Sequence, residues 1–585
     1  MNSKESPLYL NYSENERDSE IERLQKIEWD LLVIGGGITG AGIAREAAFR
    51  GLTVALLEMN DFAYGTSSGS SKLAHGGIRY LAQREFGLVR EATTERNWLR
   101  DKAIPHLVRP LQFIYPIFSE RNVGGRQLPR SKDSVRKIRF AAFLYDLLCG
   151  FHNYGSREVV KEKSLRELEP AFDSTGLVGA VLYYDTNLGD ERLTIETIWD
   201  GLRTGLVCVV NYMAVTDLML DSAVKICGVV AKNRIGPSDE AESIQVRAKA
   251  VVNATGVWAD RILEMGQKPE VKIIRPTKGV HIAVPRSKLP VNRAFGLRSL
   301  DDDRFFFVLP RNDWVLIGTT DTDFSGDPSE CYCNSEDADY LRRTVNVLFP
   351  DAKIENDDLL GSYAALRPLV YEPGKSESEV SRKHLILERS DGLLTIVGGK
   401  LTTYRKMAED LLLDHLKKWI KKGYPKFSTR KGLAKVPYTV ALSLEDWKNS
   451  KVVRNSTLDS NILRHLYQQY GKGGLLILRN LEGKTQLIER LLTEYPTNVC
   501  PWILGEIDYI IRRECPVHLV DVLARRMEVA WLVHPKYQGK IAGRVAQLMA
   551  NILGWSEERK DAEIQQYINH VKRNSFFYEG EIATS

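Results

Sequence analysis

Hydrophobic residues follow two regimes along the chain. Up to about residue 420, compact apolar runs at 31–34, 54–57, 249–253, 305–309, 314–317 and 394–397 alternate with longer mixed stretches. That is the pattern of buried strands separated by helices and loops. Beyond Tyr438 the period changes. Ile503, Ile507, Ile510 and Ile511, then Leu519, Val522 and Leu523, recur at helical spacing with one apolar face. The pattern predicts an α/β fold, with a doubly wound nucleotide-binding sheet and an inserted, mainly antiparallel second sheet over residues 29–420. A basic stretch rich in Gly, Pro and Ser predicts a linker at 421–439, and residues 440–585 are predicted to form an all-α domain. Residues 1–28 carry seven acids against four bases and no apolar core region. They match neither a secretory signal nor an Arg-rich transit peptide, and predict a flexible leader with one helical turn near Ile21.

The first strand-like run, LLVI, breaks into GGGITG, and Gly35, Gly37 and Gly40 are the glycines of GxGxxG. The first allows a tight turn, the second lets backbone approach a pyrophosphate, and the third lets the following helix pack against the sheet. Gly36 adds a further position without a side chain, and the pyrophosphate would sit on unpaired N–H groups at the helix N-terminus. The second run ends in Glu58, 18 residues after Gly40, where a carboxylate accepts hydrogen bonds from an adenosine ribose and repels a 2′-phosphate. Strand, glycines, helix, strand and acid in this order specify a dinucleotide, and leave FAD and NAD both open.

What is missing narrows the choice. There is no second GxGxxG between a strand and a helix, and the seven cysteines, Cys149, Cys208, Cys227, Cys331, Cys333, Cys500 and Cys515, include no CxxC redox pair. A flavin bound here would take electrons from a small substrate and hand them to a separate acceptor. The net charge of +5 from 81 basic and 76 acidic residues is small for 585 residues. It gives no nucleic-acid signature and no reason to expect a metal at Cys331 and Cys333, since no second ligand pair stands beside them. No stretch approaches the ~18 apolar residues of a spanning helix.

Several later segments carry a specific resemblance. SSGSSKLAHGGIRYL, NATGVWAD at 253–260, RPTKGVHIAVP at 275–285, FVLPRNDWVLIGTTDTD at 307–323, LRPL at 366–369 and GGKLTTYRKMAE at 398–409 occur in order. Together they resemble the FAD-dependent glycerol-3-phosphate dehydrogenase family, whose nucleotide domain is amino-acid-oxidase-like. The resemblance runs from about residue 29 to 415 and continues into the helical tail. It implies FAD contacts at Thr66, Ser67, Ser68, Ser71, Lys72, Gly256, Gly399, Lys400, Leu401 and Thr402, and it implies glycerol 3-phosphate as substrate. Flavin oxidation of a secondary alcohol moves a hydride to the ring while a base takes the hydroxyl proton. His75, inside AHGGIRY, is the residue type most readily tuned to that task. Arg367 is a poor base and is better suited to stabilising the forming alkoxide. By motif match Arg367 and Arg382 are expected on the phosphate, with Arg79 and Tyr80 near the substrate. Lys278 and Lys400 are expected on phosphate or flavin.

The electron acceptor is open between membrane quinone, the dehydrogenase reading, and oxygen, the oxidase reading that yields hydrogen peroxide. A flavoprotein scaffold without turnover is a third reading, disfavoured by the legible substrate-side motifs. Residues 134–151 place Arg136, Lys137 and Arg139 ahead of a short, strongly apolar stretch. A basic, aromatic, amphipathic segment of that kind suits an interfacial helix on anionic lipid, with a core helix or a homodimer contact as alternatives. The expected location is therefore cytoplasmic, peripheral on the inner face of a plasma membrane, with quinone as partner.

Overall fold

The computed structural model describes residues 12–81, 83–123, 126–236, 243–266, 272–371, 383–416, 427–496 and 498–582. Four apolar strands, Leu31–Ile34, Val54–Leu57, Val207–Val210 and Val251–Asn253, are buried along their whole length. Each Val, Leu or Ile so buried contributes about 1.5–3 kcal/mol, which favours a sheet covered on both faces. They form a six-stranded sheet in the order His384–Glu388, Leu394–Gly398, Val251–Asn253, Leu31–Ile34, Val54–Leu57, Val207–Val210. All neighbours are parallel except the first pair. Helix Ile38–Phe49 covers one face with Asp190–Leu202 and Tyr404–Asp410 beside it.

The second sheet has ten strands and is mainly antiparallel. One long pairing joins Ile274–Pro285 to Gly361–Val370 and sets Thr277 opposite Arg367 and Gly279 opposite Ala365. The two large sheets and the C-terminal helices, which include Leu504–Arg513, Gln538–Leu553 and Glu557–Arg573, match the α/β architecture with a helical tail.

Two segments are more ordered than their composition implies. Within the expected flexible leader, Glu14–Lys26 is a 13-residue helix. Tyr12, Arg17 and Leu24 are buried, and the Arg17 guanidinium donates to the Asn211 carbonyl at 2.7 Å and to Asn233 Oδ1 at 2.9 Å. The tertiary partners lie some two hundred residues away, so a local count of charges misses them. The expected linker lies partly outside the described residues, but its later part is fastened. Arg45 donates to the Ala434 carbonyl at 2.8 Å and stacks 4.4 Å from the Tyr438 ring.

His106 is fully buried, and neither ring nitrogen has a hydrogen-bond partner among the described residues. Burial, with Arg192 and Arg109 nearby, holds its pKa down at about 3; His281 is likewise held at about 3, first by burial and then by Arg367. At these two histidines the folded protein therefore binds fewer protons than the unfolded chain between pH 6.5 and 3. Their contribution to stability is present in full above about pH 6.5 and is lost as pH falls, by up to about 1.4 kcal/mol per pH unit for each histidine. His106→Leu is expected to flatten the slope of unfolding free energy between about pH 6 and 4 by that amount, measured by urea unfolding. An unchanged slope would remove His106 from the account.

Candidate functional site

Strand Leu31–Ile34 ends in Gly35, whose φ of +109° is a left-handed conformation that favours glycine. A Cβ on Gly40 would lie 1.9 Å from the Gly35 carbonyl oxygen, so the helix reaches the sheet only because Gly40 has no side chain. Gly36 donates its N–H to Glu58 Oε2 at 2.7 Å, and Asn60 donates to Oε1 at 2.8 Å. Burial raises the Glu58 pKa against those two hydrogen bonds. At the helix N-terminus the Ser67 hydroxyl accepts from the Ile38 N–H at 2.9 Å.

A cavity of ≈ 360 Å³ opens over this turn. Of the expected cofactor residues, Gly35, Gly37, Glu58, Thr66, Ser67, Gly256, Gly399, Lys400 and Leu401 line it. Gly36 and Gly40 shape its base without lining it. At Gly256 a Cβ would meet nothing within 4 Å. Tyr64 and Trp258, which the sequence reading passed over, form an aromatic wall with ring centroids 6.1 Å apart.

A second, larger cavity of ≈ 960 Å³ adjoins the first, sharing Thr66, Ser70, Pro368 and residues 398–401 with it. His75, Tyr80, Arg367, Lys400 and Thr402 face it together, drawn from three separate motifs. The His75 backbone is tied to the turn after Gly398, its N–H donating to Thr402 Oγ1 at 3.2 Å, and its ring lies edge-on to Phe307. The Lys400 ammonium sits 3.7 Å above the Tyr80 ring, a cation–π arrangement. Arg367 donates to Asp321 Oδ1 at 3.0 Å, Thr319 Oγ1 at 2.9 Å and the Thr320 carbonyl at 3.0 Å. Its guanidinium occupies space that Gly279 leaves open, since a Cβ there would fall 2.5 Å from Nη2.

Pleat parity corrects one expectation and supplies a missed residue. Side chains alternate across a strand, so Gly279 and His281 face the second cavity while Lys278 faces away. Lys278 Nζ instead pairs with Asp337 at 2.6 Å and lines neither cavity. His281 is buried, stacked on Tyr363 at 4.8 Å, with Nε2 3.0 Å from Ser71 Oγ. Applying the alternation to the KGVH motif would have found it.

Lys72 is also corrected as a cofactor contact. Its ammonium is fully buried among Asp190 and Glu191, each at 2.7 Å, and Glu528 at 3.1 Å, and it lines neither cavity. Ser71 and Thr402 line only the second cavity. Ser68 lines neither, its hydroxyl donating to the Gly65 carbonyl at 3.3 Å. Arg382 lies outside the described residues, and Arg79 is described only in its backbone place in the turn Ile78–Leu81. On the outer wall Arg298, Lys137 and Tyr115 converge on Asp133 at 2.6–2.8 Å. Against the pull of burial those bonds hold Asp133 at about 2. This wall was not read from the sequence, because its members come from three separate segments without a motif.

Among the described residues no group of histidine, cysteine, aspartate or glutamate could hold a metal ion.

Comparison with known proteins extends these observations. Residues 30–405 match the FAD dependent oxidoreductase family, and residues 435–560 match the C-terminal domain of alpha-glycerophosphate oxidase. An aerobic glycerol-3-phosphate dehydrogenase from Staphylococcus saprophyticus is 33% identical over 570 residues, covering 94% of this chain and 96% of the relative. One from Staphylococcus aureus is 33% identical over 568 residues, covering 94% and 95%. The solved structure of the glycerol-3-phosphate dehydrogenase from Bacillus halodurans complexed with FAD is 28% identical with a TM-score of 0.74, covering 97% of this chain and 100% of that one. The L-alpha-glycerophosphate oxidase from Mycoplasma pneumoniae shares the fold, at 16% identity and a TM-score of 0.51, over 66% of this chain and 94% of that one.

Proposed function

This chain belongs to the FAD-dependent glycerol-3-phosphate dehydrogenase family, and from that premise we propose that it oxidises sn-glycerol 3-phosphate to dihydroxyacetone phosphate and passes the electrons to membrane quinone. FAD is its cofactor, and the residues fit it. The glycine turn leaves room where side chains would collide, and Glu58, which lines the cavity, would accept hydrogen bonds from the adenosine ribose. The observation that carries the substrate reading is the junction of the two cavities. Lys400 lines both cavities, and His75, Tyr80 and Arg367 line the second one with it.

When bound, FAD supplies the acceptor for the hydride that leaves the carbinol carbon. The His75 imidazole takes the hydroxyl proton as the carbonyl forms. Arg367, held in place by Asp321, Thr319 and Thr320, stabilises the negative charge developing on that oxygen and binds phosphate through its fork. Lys400, fixed over Tyr80, keeps positive charge at the junction. Arg79 and Arg382 are assigned to substrate and phosphate by motif alone.

Quinone as acceptor, reached by peripheral attachment to a membrane, is supported by helix Val135–Leu148. Its first five residues include Arg136, Lys137 and Arg139. Phe140 and the following Phe151 are each 60% exposed, and Leu147 is 48% exposed. Large apolar side chains beside basic ones suit an anionic lipid surface. No described helix is long and apolar enough to cross a membrane. The helix also lines the substrate cavity, and its Tyr145 hydroxyl accepts from the Gly76 N–H at 2.8 Å, next to His75. The match of the tail to an oxidase domain favours oxygen as the second reading. The two separate on a single preparation, by quinone-analogue reduction without oxygen and peroxide yield in air. Rapid quinone reduction with little peroxide is expected. Peroxide in step with substrate consumption, and no quinone reduction, would select the oxidase.

A further inference from the structure

Residues 61–72 form the wall shared by the two cavities. Tyr64, Gly65, Thr66, Ser67 and Ser70 face the first, and Gly69 and Ser71 the second. This stretch belongs to no strand ladder until Leu73, and its internal backbone hydrogen bonds are isolated turns such as Tyr64 N–H to the Asp61 carbonyl at 3.2 Å. Its path is fixed from outside: within its own domain Ala63 N–H donates to the Gly36 carbonyl at 3.1 Å, Thr66 Oγ1 to the Leu366 carbonyl at 2.6 Å and Ser70 N–H to Asp190 Oδ2 at 2.9 Å, and the C-terminal domain adds contacts at both ends.

Its two ends are oppositely charged and fully buried, and both reach the same short stretch of the C-terminal domain. Asp61 accepts from Arg525 Nε at 3.0 Å and from Arg526 Nη1 at 2.5 Å and Nη2 at 3.0 Å, with Asn211 Nδ2 at 3.2 Å as its partner within the nucleotide domain. Lys72 meets Glu528 at 3.1 Å beside its own domain's Asp190 and Glu191, and lies 5.0 Å from the Trp531 ring. Arg525 also stacks 5.6 Å from the ring of Tyr64, which lines the first cavity. Ala63, Lys72 and Glu528 all hold left-handed φ values, +62°, +53° and +58°. Such values in residues other than glycine persist only where surrounding contacts over-determine them.

We propose that Arg525, Arg526 and Glu528 are positioning residues for FAD. The C-terminal domain clamps the cofactor-lining loop at both ends, so its packing sets how tightly FAD is held. Severing one clamp leaves a buried charge with fewer partners, and the loop relaxes away from the geometry that lines the cavity. The inference depends on FAD binding alone, so it stands or falls independently of the substrate and acceptor assigned above.

The test uses the full chain stripped of FAD and titrated with it, comparing Glu528→Gln and Arg526→Lys with the surface control Glu557→Gln. Each clamp variant is expected to raise the Kd for FAD by about tenfold or more. Amide hydrogen exchange in the stripped protein should quicken across residues 61–72 and stay as in the parent across the strand Leu31–Ile34. Loosening confined to the C-terminal helices, with an unchanged Kd, would mean a merely structural role and overturn the proposal. If Glu528→Gln does not fold, Arg526→Lys, which keeps the charge and loses only the fork, decides the outcome by the same two readouts.

Discussion

His75→Asn is expected to slow anaerobic reduction of the bound flavin by glycerol 3-phosphate about 10²–10⁴-fold, the usual contribution of a positioned base. FAD content should be unchanged, because the tie between this turn and the residues after Gly398 is made by the His75 backbone, whose N–H and carbonyl meet the Thr402 hydroxyl. The side chain alone projects into the larger cavity beside Phe307. Asn preserves a polar side chain of similar reach and removes the basic nitrogen. Rapid mixing followed at the flavin absorbance measures the step directly. A variant that reduces flavin at the parent rate would transfer the proton to another group, and among the described residues His281 is a second imidazole facing that cavity.

Arg367→Leu is expected to cost about 10²–10³-fold in kcat/KM, in the range seen when one preorganised donor to a developing oxyanion is removed. The loss should appear in both kcat and KM, because the same guanidinium is assigned to the alkoxide and to the phosphate. Arg367→Lys should recover little, since an ammonium cannot reproduce the fork that engages Asp321, Thr319 and the Thr320 carbonyl. Gly279→Ala offers a subtler probe. Its methyl group would press on Nη2 and on Thr319 Oγ1, 2.6 Å away, and should lower kcat/KM in the same direction without removing the charge. Steady-state kinetics with glycerol 3-phosphate read all three, and an Arg367→Leu enzyme with parental kcat/KM would sink the assignment.

Legibility in the sequence followed the range of the interactions. The glycine turn was readable because its geometry is local. A Cβ on Gly40 would strike the Gly35 carbonyl oxygen and one on Gly36 the Glu58 side chain, both close in sequence, whereas a Cβ on Gly35 is barred by the distant Ala254 carbonyl. Placement of His75, Arg367 and Lys400 in one cavity came through motif resemblance, not through spacing. The errors lie where side-chain direction depends on distant chain. Lys72 turned inward to Asp190, 118 residues on, and Arg17 folded the leader against Asn211, 194 residues on. Lys278 carries the charge of its motif, but the pleat turns it away from the cavity that Gly279 and His281 line. The stretch Arg525–Glu528 carries no motif, and only the folded chain brings it against the cofactor loop.

On the function proposed, FAD and glycerol 3-phosphate meet where the two cavities join. Anaerobic mixing of the FAD-loaded protein with glycerol 3-phosphate tests it most directly. Complete bleaching of the oxidised flavin absorbance is expected, with one dihydroxyacetone phosphate formed per flavin. An absorbance that stays unbleached at saturating glycerol 3-phosphate, in a preparation that retains its FAD, would contradict it.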